Sequence, residues 1–127
     1  MEKIASTSLK ILIVEDDCLV AEIIADALSD HGYTVVGPAP TLNKGLLLAR
    51  EADLDGALLD VNLGGCACFP IAEVLRERRV PFMFVTGCID PAAIPAPLRM
   101  VPRLAKPFKL SCLGVVVGEA FGHPSAD

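Results

Sequence analysis

The sequence predicts an α/β fold, a doubly wound sheet of five parallel strands in the order 2-1-3-4-5. Three observations carry that expectation. Short apolar runs recur at 9–14, 33–37, 56–60, 80–85 and 101–105, and near-continuous runs of this length read as strands covered on both faces. Segments of helical period stand between them, an alternation that builds a parallel sheet with helices on both sides. Polar residues gather where the runs end, at Glu15, Asp16, Asp60, Thr86 and Lys106. Right-handed crossovers bring all of those ends to one edge of the sheet.

A chain of 127 residues, 53% of them hydrophobic, fits one domain over 1–127 with its core at about 9–121. No uncharged stretch is long enough to span a bilayer, and the first nine residues lack the apolar segment of a signal peptide. The expectation is a soluble cytoplasmic protein with no membrane contact. A net charge of −5 argues against nucleic-acid binding, which needs a basic face. The five cysteines, Cys18, Cys66, Cys68, Cys88 and Cys112, are odd in number and lack the spacing of a disulfide framework. In a cytosol they are expected to be reduced.

Residues 1–8 read as a polar lead-in to the first strand. From about Cys18 to His31 the period is helical, with Val20, Ile23, Ile24, Ala27 and Leu28 on one face. Glu22, Asp26 and Asp30 form an acidic stripe, read as a solvated face, and Gly32 stops the helix. After the second strand, Pro38-Ala39-Pro40 reads as a loop, and Thr41 as the N-cap of a helix over 42–50. Residues 63–68 read as a flexible loop, and Pro70 opens a helix whose core face is Ile71, Val74 and Leu75.

Pro91, Pro95, Pro97 and Pro102 crowd the stretch before the fifth strand. Proline inside a helix costs about 3 kcal/mol, so the helix between strands four and five is expected to be short or missing. The last helix is placed at 110–121, with Leu110, Leu113, Val117, Ala120 and Phe121 inward. Cys112, Val115 and Val116 are left outside, beside Gly114 and Gly118. That apolar outer face is expected to support a homodimer.

Asp60 ends a buried strand, where a charge is costly unless compensated. Strands one, three and four meet near the topological switch point of such a sheet, where ligands bind. The three carboxylates of Glu15, Asp16 and Asp60 repel one another there, and a hard divalent cation resolves the conflict, Mg2+ being the cytosolic candidate. Lys106 adds a fixed positive charge and Thr86 a hydroxyl donor. Together they form an anion site aimed at a developing phosphoryl group.

The motifs Ile-Val-Glu15-Asp16-Asp17, Leu-Leu-Asp60-Val-Asn62, Phe-Val-Thr86-Gly87 and Lys106-Pro107-Phe108 stand in order, each at a strand end. In this the chain resembles a response regulator receiver domain, a flavodoxin-like fold, over nearly its whole length. The resemblance implies a stand-alone phosphoacceptor of a two-component pathway. Its partners would be a histidine kinase or a histidine phosphotransfer protein, and a downstream protein target. It would catalyse its own Mg2+-dependent phosphorylation and dephosphorylation without being a turnover enzyme. Asp60 would be the nucleophile, and Asp16 and Asp60 would hold Mg2+ directly. The Asn62 backbone carbonyl would complete the protein ligands, with Glu15 acting through water. Lys106 would pair with Asp60 and then with a phosphoryl oxygen, and Thr86 would move inward onto another.

The chain also departs from the family pattern. Arg103 stands where receivers usually carry an aromatic residue coupled to the threonine, and the proline-rich 91–102 segment displaces a helix of the usual output face. Cys88 occupies a position that tunes dephosphorylation in the family. An alternative reading is therefore a phosphorylation-independent interaction module with a receiver fold. A phosphatase built on Asp60 is a third reading, but it typically needs an acid two residues on, where Asn62 stands.

Overall fold

The computed structural model describes residues 8–87 and 90–122. The strands of the main sheet are β1 (Lys10–Val14), β2 (Thr34–Ala39), β3 (Gly56–Asp60), β6 (Phe82–Thr86) and β7 (Arg103–Ala105), with a small hairpin of β4 (Asn62–Leu63) and β5 (Cys66–Ala67) between β3 and β6. The helices are α1 (Cys18–Asp30), α2 (Leu42–Glu51), α3 (Phe69–Glu77) and α4 (Leu110–Phe121). The main sheet is parallel throughout, in the order β2-β1-β3-β6-β7, which is the predicted order once the hairpin strands are set aside.

Alternation along the strands splits the core in two. Leu12, Val14, Leu59 and Phe84 face α2 and α3, while Ile11, Ile13, Leu58, Met83 and Val85 face α1 and α4. Gly45 lets α2 approach: a Cβ there would lie 2.5 Å from Ile71 Cδ1 and 3.2 Å from Val14 Cγ1. Its low helix preference is thus offset by close packing.

Several boundaries differ from expectation, each for a physical reason. The second strand runs through Pro38 and Ala39. It is an edge strand, where a residue without an N–H is tolerated, and the Ala39 carbonyl accepts the Glu15 N–H at 3.0 Å. On α1 the buried residues are Ala21, Ile24 and Leu28, whereas Ile23 is 40% exposed, so the apolar face is rotated from the predicted one. Among the described residues no α-helix joins β6 to β7; two single 3-10 turns, Pro91–Ala93 and Ala96–Leu98, stand there, in line with the expectation of a short or missing helix.

The last helix bears on the expected dimer. Cys112 and Val115 are exposed, but Val116 is half-buried against the core. Gly118 is buried, and a Cβ on Gly114 would meet His31 Nε2 at 2.5 Å. The two glycines therefore serve packing within this chain. Among the described residues no helix is long and apolar enough to cross a membrane.

Candidate functional site

The sheet register assembles the site. Val14 lies opposite Leu59, Asp60 opposite Val85, and Thr86 opposite Ala105. Glu15, the first residue past β1, is thus level with Asp60, and Lys106, the first residue past β7, stands two residues beyond that level. Side chains two apart share a face, so Glu15 follows Ile13, Asp60 follows Leu58, and Lys106 follows Leu104, all toward the α1 and α4 side. The Lys106 ammonium donates to Glu15 Oε1 at 2.8 Å and to Asp60 Oδ2 at 3.4 Å. The Lys106 N–H donates to the Thr86 carbonyl at 2.7 Å, fixing where the lysine starts.

Glu15 is 2% exposed, and Asp60 and Thr86 are each 7% exposed. Burial, then the neighbouring Glu15, push the Asp60 carboxyl up to about 7, against the opposing pull of Lys106 and the Asn62 N–H. Burial alone would lower Lys106, but the Glu15 hydrogen bond and the charges of Asp60 and Glu15 outweigh it and hold the ammonium above its ordinary value. Carboxylate oxygens of Glu15, Asp16 and Asp60 all lie within 4.8 Å of one another. An all-oxygen donor set of this kind suits a hard divalent cation.

Of the acids after β1, Asp17 is the N-cap of α1 and accepts the Leu19 and Val20 N–H groups at 3.0 and 3.2 Å. Asp16 is exposed and accepts the Gly64 N–H at 3.0 Å. That contact was missed in the sequence, because residues 63–68 were expected to be a flexible loop. The segment is the β4–β5 hairpin, turned by Gly64 and Gly65 with φ of 61° and 97°. Two glycines between pairing residues are the signal of a tight hairpin whose central positions need positive φ. Asn62 closes the turn, its Oδ1 accepting the Gly65 N–H at 2.9 Å, while its own N–H donates to Asp60 Oδ1 at 3.2 Å.

The cysteines divide. Cys66 is exposed on the hairpin, but Cys68 is fully buried at the start of α3. Burial, then the charge of Asp60, push its thiol up to about 12, which disfavours the thiolate that metal or redox chemistry needs. Cys88 lies outside the described residues.

Five parallel strands with acids, a threonine and a lysine at one edge define a receiver-type site, and the comparisons agree. The model of the response regulator receiver domain family matches residues 11–116, and the chain belongs to that family. A solution structure of SdrG from Sphingomonas melonis is 36% identical, with a TM-score of 0.73 over 92% of this chain and 95% of that one. A CheY-like receiver domain protein from Methanospirillum hungatei shares the fold, with a TM-score of 0.80 at 22% identity over 89% and 93% of the two chains. The phyllosphere-induced regulator PhyR of Methylorubrum extorquens is 27% identical over 94% of this chain. The match covers 46% of PhyR, so the chain spans about half the length of that curated relative.

Proposed function

We propose that the chain is a phosphoacceptor of a two-component pathway, with Asp60 as the acceptor. The observation that carries this reading is the Lys106 ammonium held between Glu15 and Asp60, at 2.8 and 3.4 Å. A structural cap at Asp60 would need neither the lysine nor the acid cluster. A phosphohistidine of a histidine kinase or phosphotransfer protein is the donor this chemistry fits.

In the proposed transfer, an Asp60 carboxylate oxygen attacks phosphorus and the phosphorus–nitrogen bond breaks. The imidazole leaves with the electron pair and takes up a proton. Lys106 then moves its ammonium from carboxylate to phosphoryl oxygen, and the Thr86 hydroxyl donates to another. The Asn62 N–H, already on Asp60 Oδ1, steadies the acyl end. Mg2+ would be held by Asp16 and Asp60, with the Asn62 carbonyl and, through water, Glu15. Bound there, it supplies charge that neutralises the incoming phosphoryl oxygens.

Incubation with acetyl phosphate and Mg2+ is expected to add one phosphoryl group to the protein, read by intact mass, and Asp60→Asn to abolish it. A wild-type protein labelled by neither acetyl phosphate nor a histidine kinase would defeat the reading. The turns that replace a helix over 91–102 favour a second reading, an interaction module that works without phosphate. Under that reading Asp60→Asn keeps partner binding intact.

A further inference from the structure

The far end of the sheet carries a feature that the site does not use. Between the end of α3, the start of β6 and the end of α4 lies an open groove of about 500 Å³. Phe82, Pro102 and Phe121 line its apolar wall, Met100 stands at its edge at 93% exposure, and Arg76 and Arg79 contribute to its lining. The single 3-10 turns on the approach to β7 bring Met100 and Pro102 to this place in a segment where an α-helix was absent.

Arg79 is the unusual residue. Helix α3 ends in a Schellman motif: the Val80 N–H donates to the Leu75 carbonyl at 2.9 Å and the Arg79 N–H to the Arg76 carbonyl at 3.1 Å. The residue after the cap of such a motif sits in left-handed backbone and is usually glycine. Here it is arginine, at φ 60°, the one non-glycine at positive φ among the described residues. A strained residue of this kind points to a use for its side chain. Arg78 beside it is already committed, donating to the Ala49 carbonyl. Among the described residues Arg76 pairs with Glu73 at an exposed 3.4 Å contact, which holds it weakly.

We propose that this groove docks a short segment of a partner protein that carries an apolar anchor flanked by carboxylates. The apolar wall takes the anchor, Met100 adapts to its shape, and the two guanidiniums pair with the flanking acids. The charge of the groove runs against that of the chain, which is net −5, so an acidic partner is repelled elsewhere and accepted here.

The test uses the unphosphorylated full chain and its Asp60→Asn variant, so that its outcome is independent of chemistry at Asp60. The probes are two acetylated peptides with a central Phe-Leu pair, one flanked by Glu and the other by Lys. The Glu peptide is expected to shift amide resonances at 76–82 and 97–102, with the Lys peptide bound about tenfold more weakly or not at all. Arg79→Glu should lose at least about tenfold in affinity. Arg79→Gly should also lose affinity while its melting temperature rises by a few degrees, a pairing that a purely structural arginine would not give. Equal binding of the two peptides, shifts confined to other surfaces, binding only to phosphatidylglycerol vesicles, or self-association blocked by Arg79→Glu would each overturn the proposal.

Discussion

The two ends of the sheet solve opposite problems. At the carboxyl edge, charge is buried and must be satisfied from within, so Glu15, Asp60 and Lys106 hold one another at hydrogen-bonding distance. At the amino edge, apolar surface is left open and charge is placed beside it, in Arg76 and Arg79. The first arrangement is internally strained by its own acids. The second is strained by one backbone conformation. In both, stability is given up where a side chain or an empty surface has something to meet.

Substitutions can break or sharpen this contrast, and the largest effect is expected at the lysine. Lys106→Met leaves Glu15 and Asp60 buried without their cation and should destabilise the metal-free protein by about 2–3 kcal/mol at pH 7. Added Mg2+ should restore much of that loss, as followed by chemical denaturation. The same change should suppress labelling by acetyl phosphate.

A smaller effect of opposite sign is expected at Asp60. The Asp60 carboxyl is raised to about 7 when folded, against about 3.9 in an unfolded chain. Between those values the folded state holds the extra proton. The contribution of this group to stability is therefore fully present below pH ~4 and is lost as pH rises through ~7. Asp60→Asn removes the repelling charge, so it should stabilise the metal-free protein at pH 7 by on the order of 1–2 kcal/mol. The fall in melting temperature between pH 4 and 7 should flatten in the variant. A variant no more stable than wild type at pH 7 would mean that the edge is not strained by its acids.

The smallest effect is expected at Arg103. It is exposed on β7 opposite Phe84, and Arg103→Tyr should change stability by less than about 0.5 kcal/mol. If that variant shifts the amides around Thr86 on phosphorylation and the wild type does not, the missing aromatic residue is what uncouples the threonine.

The central strands β1, β3 and β6 were legible because they are buried and read as apolar runs, and because each ends at a polar residue, Glu15, Asp60 or Thr86, that an apolar strand would not tolerate. Glu15, Asp16, Asp60, Thr86 and Lys106 could be placed on one edge from topology alone. Three things were not legible. The hairpin pairs only two residues on each side, too few for a periodic signal, although Gly64-Gly65 marked its turn. The extension of β2 through Pro38 depended on its lying at an edge, which a single strand does not announce. Gly45 and Gly114 looked like weak points or an outer contact face. Their role became visible only when Ile71 and His31 were found packed over them.

The alternation of the strands has one more consequence, for fidelity. A one-residue slip of β3 against β1 would turn Leu58 and Leu59 to the wrong faces of the sheet. The same slip would turn Asp60 away from Lys106 and bring Val61 among the acids. A misregistered chain is therefore penalised twice, once in its core and once in its charges. Copies that pass the hydrophobic check arrive with the Asp60 carboxylate already facing Lys106, so the core and the charge cluster are assembled in a single event.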